Sequence, residues 1–216
     1  MSRVDGVVLA GGFMDRRAPW RRARYAALDL ETTGLLSDDA IVSFGVVPVE
    51  GARVRLDLSD YREVFPSADP ASPAVAIHGL RPIDLETAPT LERVADELRS
   101  ALWRRVVVAW SSWVEASFLS RALGGRASSW EGHIVDVRRL VRWLDVLEGR
   151  GQDGSAKTTL AQTAERFRVP LERTHHALWD AFVTAQLFLV LASRLESHGV
   201  SRLGPLLRSG QRRLRR

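Results

Sequence analysis

The sequence predicts an α/β fold, a mixed β-sheet flanked by α-helices. Three observations carry this expectation. Strand-like runs come first, as a meander between residues 24 and 58. After residue 90, short apolar runs alternate with segments of helical period. No internal repeat or domain break interrupts the 216 residues, a length that suits one domain with short extensions.

Residues 24–31 form the first expected strand. Its apolar run starts at Tyr25 and is interrupted by Asp29 and Glu31. Residues two apart on a strand share a face, so these two acids project side by side while Leu28 and Leu30 point into a core. Thr32, Thr33 and Gly34 end the strand, with glycine accepting the turn. Residues 35–40 are a turn. Ile41 to Glu50 is β-branched and apolar, hence a buried strand, and Pro48 suggests an edge or bulge. Gly51 gives a hairpin into Ala52 to Leu58, which alternates and reads as a third antiparallel strand. Residues 59–89 are a long connection with five prolines, and a loop of that length in a compact domain is usually functional.

Thr90 can cap a helix that places Leu91, Val94, Ala95, Leu98 and Leu102 on one face. Arg105 to Trp110 is a buried strand. Ser111 or Ser112 caps a helix that Gly124-Gly125 ends after Leu123. His133 to Asp136 is a short strand leading into a helix to about Leu147. Residues 149–156 are a flexible loop. Thr158 or Thr159 starts a helix to Arg168, stopped by Val169-Pro170. Thr174 precedes the last helix, Ala177 to about Ser197. The expected organisation is a basic extension at 1–23, either irregular or lying over the domain, one domain at 24–200 and an Arg-rich tail at 201–216.

Composition excludes several classes. There is no cysteine, so neither a disulfide framework nor a thiolate metal site is available. No signal peptide is evident, and the apolar run from Ala181 to Ala192 is too short to span a bilayer. A cytoplasmic location without membrane contact is the expectation. The net charge of +5 is uneven. Residues 1–24 carry +4 and residues 202–216 carry +6, which leaves the body about −5. An acidic body with two basic ends suits a protein that meets a polyanion, and equally suits solvated tails that aid solubility.

Three features carry chemistry. Asp29 and Glu31 repel unless a cation lies between them or one is protonated, which is the donor set of a hard divalent ion. Taken alone, the pair reads equally as a strand with both acids in water. Asp180 lies in the apolar start of the last helix, after His175-His176-Ala177-Leu178-Trp179. It is either a core-facing carboxylate that needs a cation or donors, or a surface acid favoured by the helix dipole. Glu115 lies in the first turn after the Arg105–Trp110 strand, as a ligand or as part of a capping box with Ser111 or Ser112.

Together these features resemble the DEDDh 3′–5′ exonuclease family, which includes the proofreading epsilon subunit of bacterial DNA polymerase III, RNase T and oligoribonuclease. Asp29 to Gly34 matches the family motif Asp-x-Glu-Thr-Thr-Gly in full. His175, Ala177, Asp180, Ala181, Thr184 and Ala185 match its His-x-Ala-x-x-Asp-Ala motif with the Thr-Ala that follows. Ile77-His78-Gly79-Leu80 with Ala88-Pro89-Thr90, and Asp136 followed by Arg139-Leu140, resemble intermediate landmarks. The resemblance covers residues 24 to about 195. The second motif departs: the family's His-Asn-Ala-x-Phe-Asp reads Trp110-Ser111-Ser112-Trp113-Val114-Glu115 here. Glu115 keeps the charge of the family aspartate and adds a methylene. Either a small backbone shift compensates or the second metal is weakly held.

The resemblance implies a ribonuclease H-like sheet of about five strands flanked by helices. It implies two ions, Mg²⁺ or Mn²⁺, held by Asp29, Glu31, Glu115 and Asp180, with His175 as general base. Helical spacing alone would pair His176 with Asp180. The family pattern instead places its histidine on the loop five residues before the aspartate, at His175. Thr32, Thr33, Gly34 and Leu35 would line the terminal nucleotide, with Leu35 wedged against the last base or packed in the core. His78 would contact the same nucleotide or serve as a loop polar residue, and Trp110 or Trp113 would stack on bases. The implied reaction releases nucleoside 5′-monophosphates from 3′ ends of single-stranded DNA or RNA, with a polymerase or repair partner. The competing expectation is a weakened nuclease-like module that binds nucleic acid without turnover. Oligomeric state is not legible.

Overall fold

The computed structural model describes residues 15–67, 72–150, 158–172 and 175–209. Most of the 149–156 loop, Thr174, and residues 1–14 and 210–216 of the expected extensions lie outside the described residues.

Six strands form one mixed sheet. β1 (Tyr25–Thr32) lies at its centre and pairs antiparallel with β2 (Ile41–Glu50). On its other side β1 pairs parallel with β5 (Val106–Ala109), which pairs parallel with β6 (Ile134–Asp136). The short strands β3 (Arg53–Val54) and β4 (Asp60–Glu63) both pair antiparallel with β2. This is the expected mixed sheet flanked by helices.

The meander differs in detail. Ala52 to Leu58 is not one strand. Gly51 and Ala52 both take positive φ, and after β3 the chain enters a short 3-10 turn at Leu56–Leu58. Leu56 and Leu58 are exposed, so their alternation buries nothing. Of that stretch only Arg53 and Val54 pair with β2, and the longer pairing is made by β4, within the expected connection. That connection also holds two short helices, α1 (Ser72–His78) and α2 (Pro82–Leu85).

The sheet separates two apolar cores. Alternate residues of β1 supply both: Ala26, Leu28 and Leu30 face α3 (Leu91–Leu102) and α4 (Ser112–Leu123). Tyr25 and Ala27 face the opposite side. There they meet α6 (Val137–Leu147), α7 (Leu160–Phe167) and α8 (Ala177–Ser197). The short α5 (Ala127–Glu131) sits against α4. By length and composition α8 could cross a membrane. Its Ala181, Leu187, Phe188 and Leu191 are fully buried against the sheet, as a core helix requires.

Described residues on both sides of the expected 24–200 domain pack onto it. Trp20 is fully buried with its ring edge on Phe188. Pro19 pairs with Arg202 in an isolated bridge, and a final helix, α9 (Leu203–Arg208), buries Leu203, Leu206 and Leu207.

Candidate active site

Asp29 and Glu31 lie near the C-terminal end of β1 and face α8, because Leu28 and Leu30 take the other face. Asp180, in the first turn of α8, comes down on the same spot. Carboxylate oxygens of Asp29, Glu31 and Asp180 lie within 4.8 Å of one another.

Gly45 makes this approach possible. It sits directly across from Asp29 in the β1–β2 register. A Cβ at residue 45 would collide with the backbone of Ala177 and Leu178. The helix start therefore rests on bare β2 backbone. A lone glycine inside a β-branched strand is the sequence signal for such a close approach, and it was available at Gly45.

Glu115 joins from α4. β5 runs parallel to β1, so the helix that follows β5 begins beside the end of β1. Ser111 is the N-cap of α4 and makes no side-chain capping bond, so the expected capping box does not form. Asp136 supplies the cap. Its Oδ2 accepts from the amide and the hydroxyl of Ser112, both at 3.0 Å. Its Oδ1 accepts from the Arg139 amide at 2.9 Å and caps α6 as well. The charge of Glu115 reaches Asp29, but Glu115 stands outside the group of three carboxylates. It is buried, and its Oε2 has no hydrogen-bond partner.

The electrostatics are those of crowded, desolvated acids. Burial and the charges of Glu31, Asp180 and Glu115 hold the Asp29 carboxyl well above the usual range. Burial, with Asp180 adding repulsion, pushes Glu31 up to about 7. Burial pushes Glu115 up to about 8, with its own backbone amide opposing and Asp136 adding repulsion. Asp180 is raised by burial, against the His175 amide and the two histidine charges. The donor set fits a hard divalent cation. Three carboxylates converge, and Asp180 Oδ1 and Glu115 Oε2 are buried without a partner.

The two histidines separate. His175 is exposed, takes positive φ, and donates its amide to Asp180 Oδ2 at 3.0 Å. It lies within electrostatic reach of Asp180 and His78. His176 is the N-cap residue of α8 and stacks on Tyr61.

The turn after β1 is built by Asp39, which sequence reasoning passed over although aspartate is a turn-forming residue. Its carboxylate accepts from the Thr33 hydroxyl at 2.8 Å and the Leu36 amide at 2.6 Å. The Thr32 hydroxyl donates to the Gly34 carbonyl at 2.7 Å. Leu35 is 60% exposed at the tip of this turn, which rules out the core-packing alternative. His78 is half-buried at the end of α1 and accepts from the Leu80 amide at 3.0 Å. Burial lowers its pKa. Trp110 is half-buried against the α8-side core, with the Arg138 guanidinium 6.0 Å over its ring, whereas Trp113 is exposed. Trp103 is also exposed.

Comparison with known proteins supplies independent findings. A family model described as exonuclease, that of the RNase T type, matches residues 26–188. The chain is 27% identical over 190 residues to a PolC-type DNA polymerase III of Thermotoga maritima, covering 85% of this chain and 13% of that protein. It is 27% identical over 192 residues to a DNA polymerase III subunit epsilon-like protein of Rhodobacter capsulatus, covering 88% of this chain and 26% of that one. The chain thus spans a small part of these relatives. Among solved structures, exonuclease X in complex with 5′-overhanging duplex DNA superposes with a TM-score of 0.61 and 21% identity. That match covers 86% of this chain and 99% of exonuclease X. The nuclease domain of 3′hExo, a DEDDh family member bound to rAMP, gives 0.66 and 14%, covering 86% and 98%. Escherichia coli exonuclease I with a dT13 oligonucleotide gives 0.69 and 15%, covering 82% and 42%.

Proposed function

Because the chain belongs to the RNase T exonuclease family, we propose that it is a metal-dependent 3′–5′ exonuclease acting on single-stranded DNA or RNA ends. The observation that carries this is the convergence of Asp29, Glu31 and Asp180 beside two buried, unpartnered carboxylate oxygens. Buried acids gathered without a counter-charge are costly, and a divalent cation offsets that cost.

Asp29, Glu31, Glu115 and Asp180 would hold two ions, Mg²⁺ or Mn²⁺. Bound there, they would supply an activated water and stabilise charge on the leaving oxygen. His175 would accept the proton of the attacking water, the general-base role that an imidazole most often takes. Its amide bond to Asp180 keeps it on the turn before α8. Attack in line on the last phosphorus breaks the bond to the 3′ oxygen of the preceding nucleotide. The products are a nucleoside 5′-monophosphate and a chain one nucleotide shorter, with a new 3′ hydroxyl.

The turn from Thr32 to Leu35 would receive the terminal nucleotide. Because Asp39 already engages the Leu36 amide, and Ala40 the Thr33 amide, Gly34 and Leu35 are the amides for the 3′ hydroxyl. Leu35 would wedge against the last base, with His78 and Trp110 near the same nucleotide. A polymerase or repair assembly is the proposed partner and the cytoplasm the proposed location, both drawn from the polymerase III relatives.

Product analysis tests this reading. Single-stranded DNA, RNA and dinucleotides are incubated with Mg²⁺ or Mn²⁺ and the products separated by chromatography. Release of nucleoside 5′-monophosphates supports it. Metal-dependent retention of the oligonucleotide with no product would instead support the non-catalytic module.

A further inference from the structure

Asp29, Gly45 and Tyr61 form a row across three neighbouring strands, since Asp29 pairs with Gly45 and Gly45 with Tyr61. Residues directly opposite share a face, so Asp29 and Tyr61 flank the bare backbone of Gly45 on the side of α8. The start of α8 lies over this row. Ala177 and Leu178 rest on Gly45, Asp180 leans towards Asp29, and His176 leans towards Tyr61. The His176 and Tyr61 rings stack with centroids 4.6 Å apart and planes 23° from parallel. His176 makes no side-chain capping bond to α8, so the stack and not a cap fixes its ring.

The residue before it, His175, needs such an anchor. It is exposed and holds a left-handed backbone at φ 59°, a conformation that costs a non-glycine residue energy. Its amide bond to Asp180 forms only in that turn. We propose that Tyr61 is a positioning residue for His175: its ring clamps His176 and so holds the strained turn that presents His175 to the acidic cluster. This rests on the exonuclease reading for its kinetic consequence, but not for its structural one. The working part of Tyr61 is the ring face. The hydroxyl donates to a Glu63 carboxylate oxygen at 3.3 Å and takes no part in the stack.

The test compares Tyr61→Leu and Tyr61→Phe with His176→Ala and His176→Phe, and with the double variant Tyr61→Leu/His176→Ala. Two readouts are taken: steady-state exonuclease kinetics, and amide hydrogen exchange at His175 in the free protein. Tyr61→Leu and His176→Ala are expected to lower kcat about tenfold or more, within the roughly 100-fold that a 1 Å misplacement costs, with KM within about twofold. The Phe variants retain the wild-type rate within about threefold. The double variant is no slower than the worse single one, because both remove the same contact. His175 amide protection is lost in Tyr61→Leu and His176→Ala, while Leu187 and Leu191 in α8 stay protected. Retained protection and kcat in those two variants would overturn the proposal, as would multiplicative effects in the double variant. A wild-type protein with no turnover would defeat the exonuclease reading alone, since amide exchange still decides the clamp.

Discussion

Glu115 is held from behind. Asp136 fixes Ser112 by two hydrogen bonds, so the first turn of α4 cannot advance if the side chain at 115 is shortened. Glu115→Asp therefore draws the carboxylate away from Asp29, and the expected outcome is a loss of rate of about tenfold or more, measured as kcat/KM with saturating Mn²⁺. A gain would mean that the longer side chain impairs the site. At Asp29 the prediction has two parts. Asp29→Asn removes a ligand and is expected to lower activity about a thousandfold, since several kcal/mol of charge stabilisation are at stake. It also relieves repulsion among Glu31, Asp180 and Glu115, so the metal-free variant melts higher, by about 2–4 °C for each kcal/mol relieved. Thermal melts with a chelator check this. Asp29, Glu31 and Asp180 drew notice as carboxylates in apolar runs, but each read equally as a surface acid until the family resemblance joined them into one site. The contributions of Gly45, Tyr61 and Asp39 were not singled out. Gly45 did carry a signal, a lone glycine in a β-branched strand, but not the identity of what approaches it, and a ring that clamps carries no signature until its neighbours in space are known.

At the scale of elements, the close seat of α8 on β2 is what brings Asp180 to β1. Gly45→Ala places a methyl group against the backbone of Ala177 and Leu178. Backbone on both sides leaves little room to yield, so the variant is expected to lose about 1–3 kcal/mol of stability. Activity should fall further than stability accounts for, because Asp180 is displaced. Denaturant melts and rates below the melting range separate the two effects. Long, strongly patterned elements were legible: β1, β2, α3, α4, α6 and α8 fall where periodicity places them. The strand expected at Ala52 to Leu58 was misread because Leu56 and Leu58 alternate without burial. β4 was missed because Asp60, Arg62 and Glu63 make a charged strand whose pairing is dictated by β2 rather than by its own propensity. The N-cap positions of α3, α4 and α7 were located to within a residue, yet the side chain that caps α4 is Asp136, 24 positions away along the chain. No local pattern encodes that.

For the whole molecule, burial of the acidic cluster couples stability to pH. An ordinary glutamate titrates at 4.5, whereas Glu31 and Glu115 in the fold are pushed to about 7 and about 8. Between those limits the folded state binds more protons than the unfolded one, so stability falls as pH rises. The metal-free protein is expected to keep this contribution in full below pH 4.5 and to lose it by about pH 8. Saturating Mg²⁺ or Mn²⁺ should flatten that decline, because a cation favours the ionised acids. Melting temperatures across this range, with chelator and with metal, measure both curves. The mixed sheet flanked by helices was readable from the order of elements; the central place of β1 in it was not. For residues 15–23, lying over the domain was one of two readings, and Trp20 takes it; the folding of 201–209 onto the body was not readable, because Leu203 finds its partners far away in sequence. The central claim is that Asp29, Glu31, Glu115 and Asp180 form a metal-dependent exonuclease site. Its most direct test is a time course with a 5′-labelled single-stranded oligonucleotide. A ladder of products shortened one nucleotide at a time from the 3′ end, requiring Mg²⁺ or Mn²⁺ and absent from Asp29→Ala, is the predicted result. An intact oligonucleotide with either metal, or a ladder that persists in Asp29→Ala, would contradict it.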